Sequence, residues 1–313
     1  MPAVATFVFD DPEEYRAACQ QGRVNLVLTG PGVFRARLTR ITLKRLALLS
    51  CTESLPRVAH ISLAPRLACI AFPTRETGPT ILDGVNVQMG DVFFWAPGER
   101  FHARTTGTFH YGSVLFKPME LIKLAQLEAL NLRLPSSGWI ARPARPLIRR
   151  LLRLHRRAEQ AAAMAPDLLR NQGCAGELER SLAQAMVNCL TAQDERAWRS
   201  SQPSHAEITN RFEDLVHADH QKSLSLSEVS REIGISGRLL RACCQQHLGM
   251  GPSQYLRLRR LNLSRRALLQ ADPADSTVRA ISSRYAFDEP GRFSVVYRTL
   301  FGESPSATLH RRA

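Results

Sequence analysis

The feature that most constrains this chain is a repeat near its C-terminus. Leu248-Gly249-Met250-Gly251-Pro252-Ser253-Gln254-Tyr255-Leu256 and Phe301-Gly302-Glu303-Ser304-Pro305-Ser306-Ala307-Thr308-Leu309 both read apolar-Gly-x-x-Pro-Ser-x-x-Leu, 53 positions apart. Upstream the match continues at a spacing of 52: Val229 maps to Ile281, Ile235 to Phe287 and Ser236 to Asp288. A one-residue slip follows, after which Leu240 maps to Phe293. A repeat of this period is one supersecondary unit used twice.

Each unit reads as helix, tight turn, helix. In the first, Ser225-Leu226-Ser227-Glu228 is a capping box, Leu226, Val229 and Ile233 form an apolar face, and Gly234 is a helix stop. Ser236 is placed to cap a second helix whose Leu240 and Cys244 point inward. In the second unit Val278 and Ile281 lie on the first helix, and Asp288 is placed to cap the next. Pro290 falls in that helix's first turn, where a missing N–H costs nothing. Phe293 and Tyr297 supply the buried face. Two helices crossing at a short turn are the helix-turn-helix plan. Pro252 to Gln270 reads as one helix between the units, stopped by Asp272-Pro273.

Charge points the same way without locating a site. Lys and Arg number 42 against 28 Asp and Glu, a net of +14 that favours an anionic partner, nucleic acid or membrane surface. Residues 1–117, 118–204 and 205–313 carry +4, +5 and +5, so the excess is spread evenly. The start does not read as a signal peptide, and no apolar run approaches the roughly 20 residues that span a bilayer. The 7 cysteines include no C-x-x-C pair and read as reduced thiols of a cytoplasmic protein, with no structural zinc site. Cys243 and Cys244 are adjacent and would sit about 100° apart on a helix.

Residues 24–117 look β-rich, with candidate strands at 24–28, 34–41 and 67–72 bounded by Gly or Pro. In the second, Arg35, Arg37 and Thr39 alternate with Phe34, Ala36, Leu38 and Ile41. His60, His102 and His110 are scattered, with no His-x-His pair, so neither a bound metal nor a cofactor is expected. No phosphate loop, H-E-x-x-H or nucleophile elbow is present, and no catalytic residues are expected. Residues 118–200 read as helical. Residues 147–157 make a basic amphipathic helix, read as packed on the N-terminal region in preference to membrane or DNA. Leu178, Leu182, Met186, Cys189 and Leu190 form a stripe suited to intradomain core or a dimer seam. Trp198 to His205 reads as a linker, after which Ile208, Phe212, Leu215 and Val216 begin a helix.

Residues 205–311 resemble the DNA-binding domain of the AraC/XylS family of bacterial transcription regulators. The resemblance is carried by Leu226-Ser227-Glu228-Val229-Ser230, Gly234-Ile235-Ser236, Gly249-x-x-Pro252-x-x-Tyr255-Leu256, Arg260-Leu261 and Leu268. It continues through Phe287, Arg292-Phe293-Ser294, Tyr297-Arg298 and Phe301-Gly302-Glu303-Ser304-Pro305. Ser230 and Ser282 stand where the family usually has Ala, and Ala286 replaces the usual Gly of the second turn. Cys243-Cys244 replace a bulkier pair, which implies a less firmly packed first unit. Gly90-Asp91, the candidate strand that follows, Pro97-Gly98 and the later His102 resemble a turn-and-strand element of the cupin jelly roll.

The resemblance implies an α+β architecture. Residues 1–117 would be a cupin-like (jelly-roll) sensor, 118–200 a helical connector and possible dimerisation region, and 205–313 an all-α domain of two helix-turn-helix units joined by a long helix. It implies base contacts from Arg238, Arg241, Ala242 and Gln245 in the first unit and from Gly291, Arg292 and Val295 in the second. It implies phosphate contacts from Arg298, with Ser227, Ser276 and Thr277 near helix starts as further candidates. The partners implied are double-stranded promoter DNA, RNA polymerase, a small-molecule effector and a second copy of the chain. The expected protein is an effector-controlled activator. The alternatives are a ligand-independent regulator with an N-terminal dimerisation domain and a cupin-like enzyme fused to a DNA-binding domain.

Overall fold

Two antiparallel sheets stack face to face in the N-terminal half, and helices cover both of their outer faces. The computed structural model describes residues 2–76, 78–127, 129, 132–191, 203–218 and 225–312. In chain order the strands are β1 (Ala3–Phe9), β2 (Gly22–Leu28), β3 (Ala36–Thr42), β4 (Leu46–Glu53), β5 (Arg57–Leu63) and β6 (Ala68–Pro73). They continue as β7 (Thr80–Leu82), β8 (Val85–Asn86), β9 (Val92–Trp95), β10 (Arg100–Thr105), β11 (Phe109–Phe116) and β12 (Trp139–Ala141). A seven-stranded sheet runs β1-β3-β4-β11-β6-β9-β12 and a five-stranded sheet β2-β5-β10-β7-β8.

The helices are α1 (Pro12–Ala18), α2 (Pro118–Leu127), α3 (Arg145–Met164), α4 (Pro166–Arg170), α5 (Gln172–Thr191) and α6 (Pro203–Ala218). Then come α7 (Leu226–Ile233), α8 (Gly237–Leu248), α9 (Pro252–Gln270), α10 (Val278–Arg284), α11 (Pro290–Phe301) and α12 (Pro305–Leu309). Of the described residues, no helix is long and apolar enough to cross a membrane.

Leu26, Ala59, Ile61, Phe101 and Ala103 meet Leu38, Leu49, Cys51, Phe93 and Leu115 between the sheets. On the outer face of the larger sheet, Ile41, Leu48, Ile70, Phe94, Val114 and Phe116 pack under α2, α3, α4 and α5. Each of these strands is therefore buried on both sides, and each large side chain so covered contributes about 1.5–3 kcal/mol. The alternation expected of residues 34–41 holds from Phe34 to Leu38, with Arg35 and Arg37 exposed, and fails beyond: Thr39 is buried, with its hydroxyl 3.1 Å from that of Thr6, and Ile41 faces the helices while Leu38 faces the other sheet. Doubly buried strands read as apolar runs, not as in-out patterns.

Three other expectations change. Within 118–200, Trp139–Ala141 is not helical; it pairs with β9 as the sheet's edge strand. The stripe at Leu182, Met186, Cys189 and Leu190 is buried inside this chain against α3 and the sheet, so it is core and not a seam left for a second copy. Of the expected linker, 198–202 lies outside the described residues, and Pro203 to His205 already belong to α6. The basic helix behaves as expected: in α3, Ile148, Leu151, His155, Ala158 and Ala162 are buried, while Arg149, Arg150, Arg153, Arg156 and Arg157 are exposed.

Candidate nucleic-acid interface

The first helix-turn-helix unit is α7 and α8, and its caps follow local chemistry. The Ser225 hydroxyl accepts from Glu228 N, while Ser225 N donates to the Glu228 carboxylate at 2.7 Å. Gly234 closes α7 at φ +78°, a left-handed conformation that suits a residue without Cβ. Ser236 accepts from Leu239 N to open α8. On α8, Leu240, Cys243, Cys244, His247 and Leu248 are buried; Arg238, Arg241, Ala242 and Gln245 lie on the uncovered side. These four fall at i, i+3, i+4 and i+7, which puts them on one helix face.

The second unit, α10 and α11, repeats the geometry. Phe287 N donates to Ser282 O at 3.0 Å, as Ile235 N does to Ser230 O at 3.0 Å in the first unit. Its turn residue is Ala286, at φ +55°. Against expectation, Asp288 does not cap α11: the slip in the repeat falls here, the cap position goes to Glu289 with no side-chain bond, and Pro290 occupies the first turn. Phe293, Tyr297 and Leu300 are buried, while Gly291, Arg292, Val295 and Arg298 are exposed. Val295 is 66 % exposed on the uncovered side of α11.

The repeated Gly-x-x-Pro-Ser string now has its reason. Gly249 and Gly302 close α8 and α11 at φ +70° and +74°, and Pro252 and Pro305 open the helices that follow. The 19 residues of α9 join the units, giving a rod of about 28 Å.

Near the helix starts, Ser227 is exposed with its Oγ 2.9 Å from Ser225 Oγ, and Ser276 is half-buried. Thr277 caps α10 by accepting from Ala280 N at 3.1 Å, which leaves its hydroxyl hydrogen free to donate. Arg257, Arg260 and Arg292, which no sequence motif groups, line with Asp288 and Glu289 a cleft of about 330 Å³ beside α11. Arg260 lies over the Phe287 ring, 5.4 Å from its centroid.

The opposite side of this region packs on the five-stranded sheet. Val27 and Val58 enter one core with Ile208, Phe212, Leu240 and Leu248. Asn262 of α9 bonds the backbone of Leu28, Arg100 meets Asp214 at 2.6 Å, and Arg265 meets Asp11 at 2.9 Å. His60 and His102, which the sequence left scattered, face each other across β5 and β10 with ring centroids 4.6 Å apart. His247 of α8 joins them. Burial pushes the ring pKa down in all three, to about 4 for His247. Strand parity places His102 opposite Phe101 and Ala103, but only the fold brings His247 there. His110 stands apart, with Nδ1 3.1 Å from Thr52 Oγ1.

Cys243 and Cys244 are fully buried, so the smaller pair leaves no exposed gap. Burial pushes both thiols up, against the thiolate form that reactive cysteines need. Inside the sandwich a cavity of about 70 Å³ is lined by Phe93, Trp95, Phe101 and Phe109 with Gln21, Arg57 and Tyr111. At its polar end Arg57 Nε donates to Glu53 Oε2 at 2.6 Å, and Tyr15 donates to Glu53 Oε1 at 2.6 Å.

Residues 229–311 match the family model described as a helix-turn-helix domain. A probable thc operon regulatory protein of Rhodococcus erythropolis is 33 % identical over 132 residues, which is 41 % of this chain and 40 % of that protein. XylDLEGF operon transcriptional activator 3 of Pseudomonas putida is 33 % identical over 110 residues, covering 35 % of this chain and 32 % of that one. The chain thus spans two fifths or less of the length of these curated relatives. Among solved structures, the AraC-like transcriptional activator CuxR aligns over 83 % of this chain and 95 % of its own at TM-score 0.44 and 19 % identity. Two capped helix-turn-helix units on one connecting helix define a double helix-turn-helix DNA-binding domain. Over residues 229–311 the chain carries a helix-turn-helix domain similar to those of AraC-type transcription regulators.

Proposed function

We propose that this chain is a sequence-specific DNA-binding transcription regulator that sets α8 and α11 into successive major grooves. The observation that carries the reading is the pair of uncovered faces at the two ends of α9. One presents Arg238, Arg241, Ala242 and Gln245, the other Gly291, Arg292 and Val295, while each helix's remaining face is buried. The rod of about 28 Å between the units is of the order of the roughly 34 Å separating successive grooves on one side of B-DNA.

In this reading Arg238 and Arg241 bond guanine O6 and N7, Gln245 reads adenine, and Val295 meets a thymine methyl. The second unit reads less and holds more: Arg292 and Arg298 grip phosphate, helped by Ser276 and Thr277, while Ser227 does the same from the first unit. Residues 205–313 act as the DNA-binding domain, and 1–117 with 118–200 as its sensor and connector. The names of the Pseudomonas putida relatives favour activation; in this reading the chain acts in the cytoplasm, as a dimer, and through RNA polymerase. The interior of the sandwich is where a small-molecule effector sits. At about 70 Å³ the cavity is smaller than the roughly 150 Å³ that holds benzene in an engineered core, so the effector is small or widens the sandwich on entry.

Footprinting of the DNA upstream of the chain's own and adjacent genes across a salt series tests this. Two protected stretches about one helical turn apart per protomer are expected. Binding that is uniform along the DNA, with and without cell extract as a source of effector, overturns it.

A further inference from the structure

Three buried imidazoles and two carboxylates converge where the sandwich packs on the first recognition helix. On β10, Phe101 and Ala103 face the sandwich interior, and His102 between them faces outward. His60 stacks on His102 from β5. His247, in the last turn of α8, stands edge-on to His102 with ring centroids 6.3 Å apart. Asp83, between β7 and β8, is locked beside them: its Oδ1 accepts from His102 N at 2.8 Å, and its own N donates to His102 O at 2.9 Å. From α6, Glu213 brings Oε1 to 3.9 Å from His102 Nε2.

These groups are poorly matched to one another as hydrogen-bonding partners. His60 Nε2, His102 Nε2, both ring nitrogens of His247 and Glu213 Oε2 are buried without a partner. His102, His247 and Glu213 are at most 1 % exposed, so water does not satisfy them from bulk. Five orphaned polar atoms in one place are expensive, and an ion is a direct way to satisfy such a group. Ligand atoms of Asp83, His102 and His247 all lie within 4.8 Å of one another. In a tetrahedral zinc site with bonds of about 2.0–2.1 Å they would stand about 3.3 Å apart, so an ion would draw them inward by at most about 1.5 Å. Two imidazoles and one carboxylate suit a borderline divalent cation such as zinc and do not suit calcium or magnesium.

We propose that Asp83, His102 and His247 bind a zinc-class divalent cation that staples the β-sandwich to the C-terminal turn of α8. Glu213 lies at hand for the fourth position, and His60 backs the His102 ring. The site is on the outer face of the five-stranded sheet, separate from the cavity between the sheets. It runs against the expectation of a metal-free chain, which rested on the absence of a His-x-His pair. The ligands are 19 and 145 positions apart along the chain, so no spacing motif announces them.

The test uses the full chain, stripped with a chelator and dialysed. Zinc chloride is titrated by calorimetry, and cobalt(II) is followed by its visible absorption, which reports tetrahedral coordination. About one equivalent per chain is expected, with affinity falling on the order of 100-fold in His102→Gln and in His247→Gln. Asp83→Asn, at a half-buried turn position, is the second line of evidence should either histidine variant lose its far-ultraviolet circular dichroism. Cys174→Ser, at an exposed thiol, should bind as the parent does. Zinc should raise the melting temperature of the parent and raise that of folded His247→Gln much less at the same concentration. No stoichiometric binding by the parent, or equal affinity in the parent and all folded variants, overturns the proposal.

Discussion

Asn262 grips the backbone of Leu28 at both ends: Leu28 N donates to its Oδ1 at 3.0 Å, and its Nδ2 donates to Leu28 O at 3.1 Å. Leu28 closes β2, the edge strand of the five-stranded sheet, and Asn262 lies midway along the helix that joins the two recognition units. An amide side chain thus does what a neighbouring strand would do, and blunts an exposed edge. Asn262→Ala leaves both backbone groups without this partner, a loss of about 1–3 kcal/mol. Hydrogen exchange at the Leu28 amide should accelerate by about 5-fold to 100-fold, since each 1.4 kcal/mol is a factor of ten. Unchanged protection would mean that the sandwich and α9 do not stay docked in solution.

Two arginines separate base reading from backbone holding. Arg241 lies on the uncovered face of α8 between Arg238 and Gln245, while Arg298 lies in the last turn of α11, past the residues placed to meet bases. Arg241→Ala should weaken a specific site by about 1–3 kcal/mol and leave random DNA almost untouched. Arg298→Ala should weaken both alike and reduce the salt slope by about one. Fluorescence anisotropy on both DNAs across a salt series reads the two quantities together. If Arg241→Ala weakens both DNAs equally, the base contact is wrong; if Arg298→Ala acts only on the specific site, the phosphate contact is.

How far the sequence was legible followed the range of the interactions. The helix-turn-helix units were readable because capping is local: Ser225 with Glu228, Gly234 and Ser236 each act within four residues, and all were found in place. Asp288 misled because its partner position moved by one residue at the slip in the repeat. The sandwich was harder. Leu46-Ala47-Leu48-Leu49 faces apolar surroundings on both sides, so the period that marks a strand is erased. The α5 stripe was readable as apolar but not as to what covers it, since the covering helix and sheet are distant in sequence. The His102 cluster was invisible for the same reason.

The two turns offer a matched pair of backbone experiments. Gly234 and Ala286 correspond at the repeat spacing of 52 and both adopt positive φ, +78° and +55°. A Cβ at Gly234 would meet nothing within 4 Å, so Gly234→Ala isolates the conformational cost. It should destabilise by about 1 kcal/mol. Ala286→Gly should relieve the same strain, less the entropy an unfolded glycine gains, for a net stabilisation of about 0.5–1 kcal/mol. Urea unfolding of each variant checks the signs, and the same sign in both would show that Ala286 is not strained in solution.

His155 gives the sandwich an acid-sensitive point. It is buried between α3 and the larger sheet, with its ring edge-on to Phe72 at 5.5 Å and Nε2 3.4 Å from Leu49 O. Burial lowers its pKa, and Glu159 and the Leu49 carbonyl only partly oppose the shift. The folded value therefore lies below the unfolded value of about 6.5. Between the two, the unfolded chain binds the extra proton, so stability is full above about pH 6.5 and falls as pH drops toward the folded value. The contribution of one such group to this slope is at most about 1.4 kcal/mol per pH unit. His155→Gln keeps a polar atom near Leu49 O and removes the titration. Its stability relative to the parent should improve steadily from about pH 7 to pH 5. The buried histidines at the sheet-helix junction keep some acid sensitivity in the variant, so the informative quantity is the difference between the two chains. Urea midpoints measured at several pH values supply it; parallel curves would show that His155 does not change protonation on unfolding.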